Sequence, residues 1–162
     1  MNSIVGVYGS QASATQAVTQ LQEAGFPKSK ISLLGKADLV DNHIHIKNEH
    51  TAEKAEVSIG VVAGTVLGVL TGIGVFAIPG LGFLFGAGAL VGAFAGLDFG
   101  LIGGGLVAVL TSMGVDQLNA QRYEKHLNEG KFLVFLQGKE EDLKKAQEVL
   151  HTGGLHMELD YN

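Results

Sequence analysis

The sequence predicts an α+β fold in which two β–α–β halves share one antiparallel sheet and a glycine-rich apolar insert separates them. Three observations carry this. Residues 1–56 and 116–162 are mixed in charge and amphipathic, whereas residues 57–115 hold one charge, Asp98, and sixteen of the twenty-four glycines. Both ends read strand, helix, strand. A shift of 129 residues also lays one end on the other, pairing Val5 with Val134, Gly9 with Gly138, Ala17 with Ala146, Leu21 with Leu150 and Gly25 with Gly154. A lone β–α–β unit cannot bury its sheet face. Two of them about a pseudo-twofold axis are expected to form a four-stranded antiparallel sheet with two helices on one face, the ferredoxin-like arrangement.

In order, residues 3–9 (Ser-Ile-Val-Gly-Val-Tyr-Gly) are a short apolar run closed by glycine, as expected of a buried strand. Ser10 or Ser13 can cap a helix through Ala24, with Ala14, Ala17, Val18 and Leu21 on its apolar face and Gly25 as its stop. Residues 31–34 read as a second strand. Residues 43–46 (His-Ile-His-Ile) alternate, as an extra edge strand or hairpin arm would, and residues 49–56 are a charged helical lead into the insert. Beyond the insert, Asp116 opens a polar helix over 117–128, with Leu118, Tyr123 and Leu127 inward and Gly130 after its end. Residues 131–136 are a strong strand. Residues 140–151 form a helix with Leu143, Ala146, Val149 and Leu150 inward, stopped by Gly153 and Gly154, and residues 155–159 are the last strand.

Within the insert, Gly60, Gly64, Gly68 and Gly72 form one i, i+4 series, and Gly88, Gly92, Gly96, Gly100 and Gly104 a second. On a helix each series is a smooth stripe that lets two backbones approach closely, a device of helices in membranes and other dry surroundings. The expected form is a helical hairpin. Residues 57–78 give about 33 Å of helix, enough for one membrane crossing. Pro79, Gly80, Leu81 and Gly82 signal a turn. Residues 83–113, about 46 Å as helix, are too long for one straight crossing. A break is expected at Leu97-Asp98 or at Gly103-Gly104-Gly105. In water each helical glycine costs about 1 kcal/mol against alanine, so such a hairpin needs lipid, other copies of the chain, or both around it.

Composition excludes several function classes. Sixteen acidic and eleven basic residues are scattered, without the basic patch that nucleic acid requires. The absence of cysteine removes disulfides, thiolate nucleophiles and sulfur-ligated metals. Residues 1–30 lack a basic region followed by an apolar run, so no cleaved signal peptide is expected.

Residues 5–9 (Val-Gly-Val-Tyr-Gly) with the alanine-rich helix after them, Ala24-Gly25-Phe26 and residues 31–34 (Ile-Ser-Leu-Leu) together resemble the general stress protein 17M-like (YflT) domain. Residues 77–82 (Ala-Ile-Pro-Gly-Leu-Gly), the Gly/Ala-rich run, residues 113–117 (Met-Gly-Val-Asp-Gln), Tyr123-Glu124 and residues 130–134 (Gly-Lys-Phe-Leu-Val) are similar to bacterial stress-associated proteins of the DUF1269 type. The resemblance covers most of the chain. It implies a stress-related bacterial or archaeal protein, often membrane-associated, and carries over no catalytic motif. Phe76, Phe83, Phe85, Phe94 and Phe99 make the insert bulkier than is usual in that family.

Four features invite a chemical reading. Residues 72–77 (Gly-Ile-Gly-Val-Phe-Ala) match a dinucleotide fingerprint formally, but in a glycine ladder such matches arise by chance. Asp98, the one ionisable side chain of the insert, is a proton or ion site if it lies in a membrane. Its simpler role is to cap the helix that would follow at Phe99. His43 and His45 share a strand face near His50, Glu49 and Asp41, and two such imidazoles chelate a metal only with a converging third ligand. No spacing here is diagnostic, so no metal or other cofactor is expected. No nucleophile elbow or carboxylate pair is recognisable, and no enzyme is expected.

Two functional readings follow. In the first, a structural protein self-associates into a homo-oligomer, contacts membrane lipid, or does both, through the glycine stripes. It is membrane-associated with its head in the cytoplasm. In the second, a soluble cytoplasmic particle of many copies encloses a hydrophobic ligand of lipid or quinone type. The flanks (Glu53, Lys54 and Glu56 before; Asp116, Arg122, Glu124 and Lys125 after) lack a basic collar, which favours hairpins buried in protein.

Overall fold

Strand β1 (Asn2–Tyr8) is buried at every position after Asn2. Ser10 then turns the chain. Its backbone is extended, and its Oγ accepts the Ser13 amide at 3.2 Å, capping helix α1 (Gln11–Glu23). Ala14, Ala17, Val18 and Leu21 are the buried face, and Gly25 follows at φ +90°. A short 3-10 turn (Lys28–Lys30) leads into β2 (Ile31–Lys36). The computed structural model describes residues 2–36, 73–78, 82–88 and 105–162.

The C-terminal half repeats this plan. Asp116 accepts the Leu118 amide at 3.0 Å and caps a helix (Gln117–Asn128) that precedes strand β5 (Phe132–Gly138). A helix with Glu140, Glu141 and Asp142 in its first turn (Glu140–Gly153) follows, acids at the end where the helix dipole favours them. Gly154 closes it in the left-handed region at φ +62°, and β6 (Glu158–Tyr161) ends the fold. The last strand therefore begins three residues later than residues 155–159 predict. Leu155 packs partly against the core before β6 starts, and the Met157 amide donates to the Val7 carbonyl at 2.7 Å.

Among the described residues the sheet has six strands in the order β3-β4-β2-β5-β1-β6, with β3 at Ile73–Ile78 and β4 at Gly82–Gly88, every neighbouring pair antiparallel. β5 lies between β1 and β2, and β1 between β5 and β6. Each terminal half is thus a pair of parallel strands with one strand of the other half inserted. The register respects the internal repeat: Val5 pairs with Phe135 and Gly6 with Val134, pairs that the 129-residue shift exchanges.

Two described segments of the insert depart from the helical hairpin. Ile73–Ile78 and Gly82–Gly88 are strands β3 and β4, paired to each other, and β4 extends the sheet along β2. Positions four apart share a face on a strand as well as on a helix, so the glycine spacing does not decide between them. The β-branched and aromatic residues on either side of Pro79-Gly80 and the helix cost of glycine decide for strands. A helix returns at Gly105–Ser112, starting at one of the two expected breaks. The helices after α1 are numbered α2 (Gly105–Ser112), α3 (Gln117–Asn128) and α4 (Glu140–Gly153).

Both sheet faces are covered, where the sequence predicts helices on one. On one face α1 and α4 pack over Ile4, Tyr8, Ile31, Leu33, Phe132, Val134 and Leu136. On the other, α2 and α3 enclose Val5, Val7, Leu34, Leu84, Leu133 and Phe135 with Leu106, Val109, Leu110, Tyr123 and Leu127. β4 serves both cores, Leu84 on one side and Phe85 and Ala87 on the other. Leu118, expected inward, is 75% exposed. It lies in the first turn of α3, and the face turned to the sheet begins with Ala120.

Candidate functional site

Of the nine glycines proposed to pack helices, Gly88 lies in the described part of the chain, at the end of β4 with φ +91°. A β-carbon there would run into the Ile31 carbonyl oxygen. Gly88 therefore serves a close backbone approach between β4 and β2 and not a helix stripe. Gly60, Gly64, Gly68, Gly72, Gly92, Gly96, Gly100 and Gly104 lie outside the described residues, as do Asp98, His43, His45 and His50. Residues 73–77 of the formal dinucleotide motif fall in β3, not at the entry to a helix as that motif requires. Leu84, Phe85, Ala87, Leu106, Val109 and Leu110 of the apolar block are buried in this chain's own core. Among the described residues no helix is long and apolar enough to cross a membrane.

Among the described residues the densest polar arrangement joins α3 to β6. Helical spacing puts Asn119, Arg122, Tyr123 and His126 on the side of α3 toward the strand. Strand alternation puts Glu158 and Asp160 toward the helix, while Leu159 turns to the opposite core. Arg122 Nη2 donates to Asp160 Oδ2 at 2.5 Å, and Tyr123 Oη donates to the same oxygen at 2.9 Å. Asn162 Nδ2 donates to Tyr123 Oη at 3.2 Å, and Asn119 Nδ2 to Asn162 Oδ1 at 2.6 Å. Burial, with the Asp160 carboxylate beside it, pushes the Tyr123 phenol up to about 12. Further along, His126 Nε2 comes within 3.1 Å of Glu158 Oε1 at angles outside hydrogen-bond geometry. Lys131 Nζ lies 3.1 Å from His126 Nδ1 and 2.9 Å from Glu129 Oε2.

The groups around Asp160 spend their hydrogen-bonding capacity on one another. The arrangement fastens a four-residue edge strand to a helix and leaves Asp160 and Tyr123 turned to each other, not to a ligand. Sequence reasoning missed it. Its signal was the alternating acids of residues 158–160 set against a helix with Arg122 and Tyr123 one turn before His126.

Among the described residues two shallow grooves lie elsewhere. An open groove of about 520 Å³ runs between α1 and α4 past Gln20, Glu23, Glu148, Val149, Thr152 and Gly153. A second, of about 440 Å³, adjoins it at Glu148 and Thr152. The His151 and His156 rings lie 5.5 Å apart, but among the described residues no three histidine or carboxylate side chains converge to hold a metal. Comparison of the chain with known protein families, characterised proteins and solved structures finds no match to any of them.

Proposed function

We propose that this chain is a non-enzymatic, self-associating structural protein of the stress-associated type its sequence resembles, a ferredoxin-like head carrying glycine-rich segments that join copies to one another. The order β2-β5-β1-β6 of the terminal strands supports the ferredoxin-like reading of the head. The observation that carries the self-association reading is the use of β3, β4 and α2 within the chain's own sheet and core. These elements divide the apolar block. The stretches left, residues 57–72 and 89–104, are sixteen residues each and hold eight of the nine ladder glycines. As helices they reach about 24 Å, short of the roughly 30 Å hydrocarbon core of a bilayer. Glycine stripes of that length, tethered at Ile73, Gly88 and Gly105, fit contacts between protein surfaces better than a membrane span.

The test is light scattering coupled to size exclusion on protein released without detergent, beside the pelleted membrane fraction. The expected result is a discrete particle of many copies that falls apart in Gly68→Leu and Gly92→Leu while the far-ultraviolet circular dichroism of the head persists. Particle mass unchanged in both variants overturns the reading. Recovery from membranes alone, as small complexes in detergent, replaces it with lipid contact.

A further inference from the structure

Of the acids, lysines, arginines and histidines among the described residues, His126 alone is buried, with 8% of its surface exposed. It sits in the last turn of α3, where the helix dipole favours positive charge. Among the described residues three charged side chains face its ring. Lys131, at the entry to β5, lies 3.1 Å from Nδ1. Glu129, just past the end of α3, lies 3.6 Å from the same nitrogen and 2.9 Å from Lys131 Nζ. Glu158 of β6 approaches Nε2 at 3.1 Å, and its other oxygen meets Arg122 Nε at 3.5 Å. Arg122 in turn holds Asp160, and Lys125 adds its charge beside Glu129.

A lysine ammonium can only donate. Nδ1 therefore accepts from Lys131, and the single proton of the neutral ring is on Nε2, toward Glu158. A second proton enters at Nδ1, and ring and ammonium then become two donors facing each other at 3.1 Å. Glu129 is the group placed to relieve this. The hydrogen bond from Lys131 holds its carboxyl below the ordinary value, so it stays an anion in acid that protonates an imidazole. We propose that His126 is a proton-operated latch between α3 and β6. With the ring neutral, Lys131 and Glu129 pair with each other, and the Nε2 contact to Glu158 stays outside hydrogen-bond geometry. With the ring protonated, Glu129 transfers to Nδ1, Lys131 swings toward solvent, and Nε2 donates a charge-assisted bond to Glu158. The four-residue edge strand is then held to α3 more tightly than by the neutral ring. The latch belongs to a single chain and works whether or not copies join.

Nitrogen-15 spectra of the imidazoles in the full chain test this without substitution. With His126 neutral, the ring proton is expected on Nε2, and a proton on Nδ1 overturns the proposal. As the ring titrates, signals of the Glu129 carboxyl and the Lys131 side chain should move with its midpoint. Signals that stay still through that midpoint overturn the exchange of partners. Lys131→Met should raise the His126 midpoint and Glu158→Gln should lower it, each by about half a pH unit, roughly threefold in proton affinity. An unmoved midpoint in either variant, with native circular dichroism, overturns the coupling of the ring to that group. Amide exchange reads the latch itself. Protection of residues 158–161, relative to the intrinsic rate at each pH, should rise about threefold as the ring is charged in the native chain. Glu158→Gln should lose that rise. A rise of equal size in the variant, or none in the native chain, overturns the latch.

Discussion

The ring of Phe132 fills the space that a β-carbon on Gly35 would need, with Cδ1 and Cε1 both against that position. Two neighbouring strands thus pack an aromatic ring on bare backbone, and Tyr8 does the same over Gly6, its Cε2 2.7 Å from where a β-carbon would sit. Gly35→Ala forces the Phe132 ring out of its place and should destabilise the fold by about 1–3 kcal/mol, the usual cost of overpacking. Urea unfolding would show this as a lower midpoint. Phe132→Leu in the same chain should recover part of the loss.

The buried tyrosines make stability depend on alkaline pH. Burial raises Tyr8 well above the ordinary phenol range and pushes Tyr123 up to about 12. A folded-state pKa above the unfolded value means that the stabilisation is complete below about pH 10 and is lost as pH rises toward 12. Denaturant midpoints should therefore be flat up to about pH 10 and fall beyond it, in step with phenolate absorbance. A chain whose tyrosines ionise at the ordinary value while still folded would contradict this.

The Tyr8 hydroxyl is buried and has no hydrogen-bond partner among the described residues. Tyr8→Phe removes that unmet group and should leave stability unchanged or raise it by about 1 kcal/mol. The alkaline fall in stability should shrink with it.

Asp160 receives hydrogen bonds from both Arg122 and Tyr123. Asp160→Ala should cost about 2 kcal/mol and Tyr123→Phe about 1 kcal/mol. The two should couple by more than about 0.5 kcal/mol in a double-mutant cycle of urea midpoints. Strict additivity would mean that the carboxylate and the phenol do not act together.

Leu118 and Leu127 lie on the same helix with opposite fates, one 75% exposed and the other fully buried. Leu118→Lys should change stability by less than about 0.5 kcal/mol. Leu127→Ala should cost about 2–5 kcal/mol.

The terminal halves were largely legible because their signals are local. Ser10 and Asp116 cap the helices they precede, and Gly25 and Gly154, paired by the repeat, both take positive φ just past a helix. The match of Ala17 with Ala146 and Leu21 with Leu150 foretold two helices packed on one sheet face. Residues 73–78 and 82–88 of the insert were misread because its strongest signal, glycine at every fourth place, is common to helix and strand faces. Leu118 was misread because an apolar residue in a first turn can precede the packed face. The Asp160 cluster depends on groups 37 and 38 residues apart in the chain, which no local pattern announces.

Val5 finds its partner Phe135 only 130 positions later. During synthesis β1, α1 and β2 therefore leave the ribosome well before the strand that fills the gap between them. The whole apolar block must follow before β5 can arrive. Closure is a late, long-range event, slow by its topology, and until it happens the nascent chain carries uncovered strands and a sticky middle. A protein built this way leans on whatever shelters unfinished chains, most of all when that shelter is in short supply.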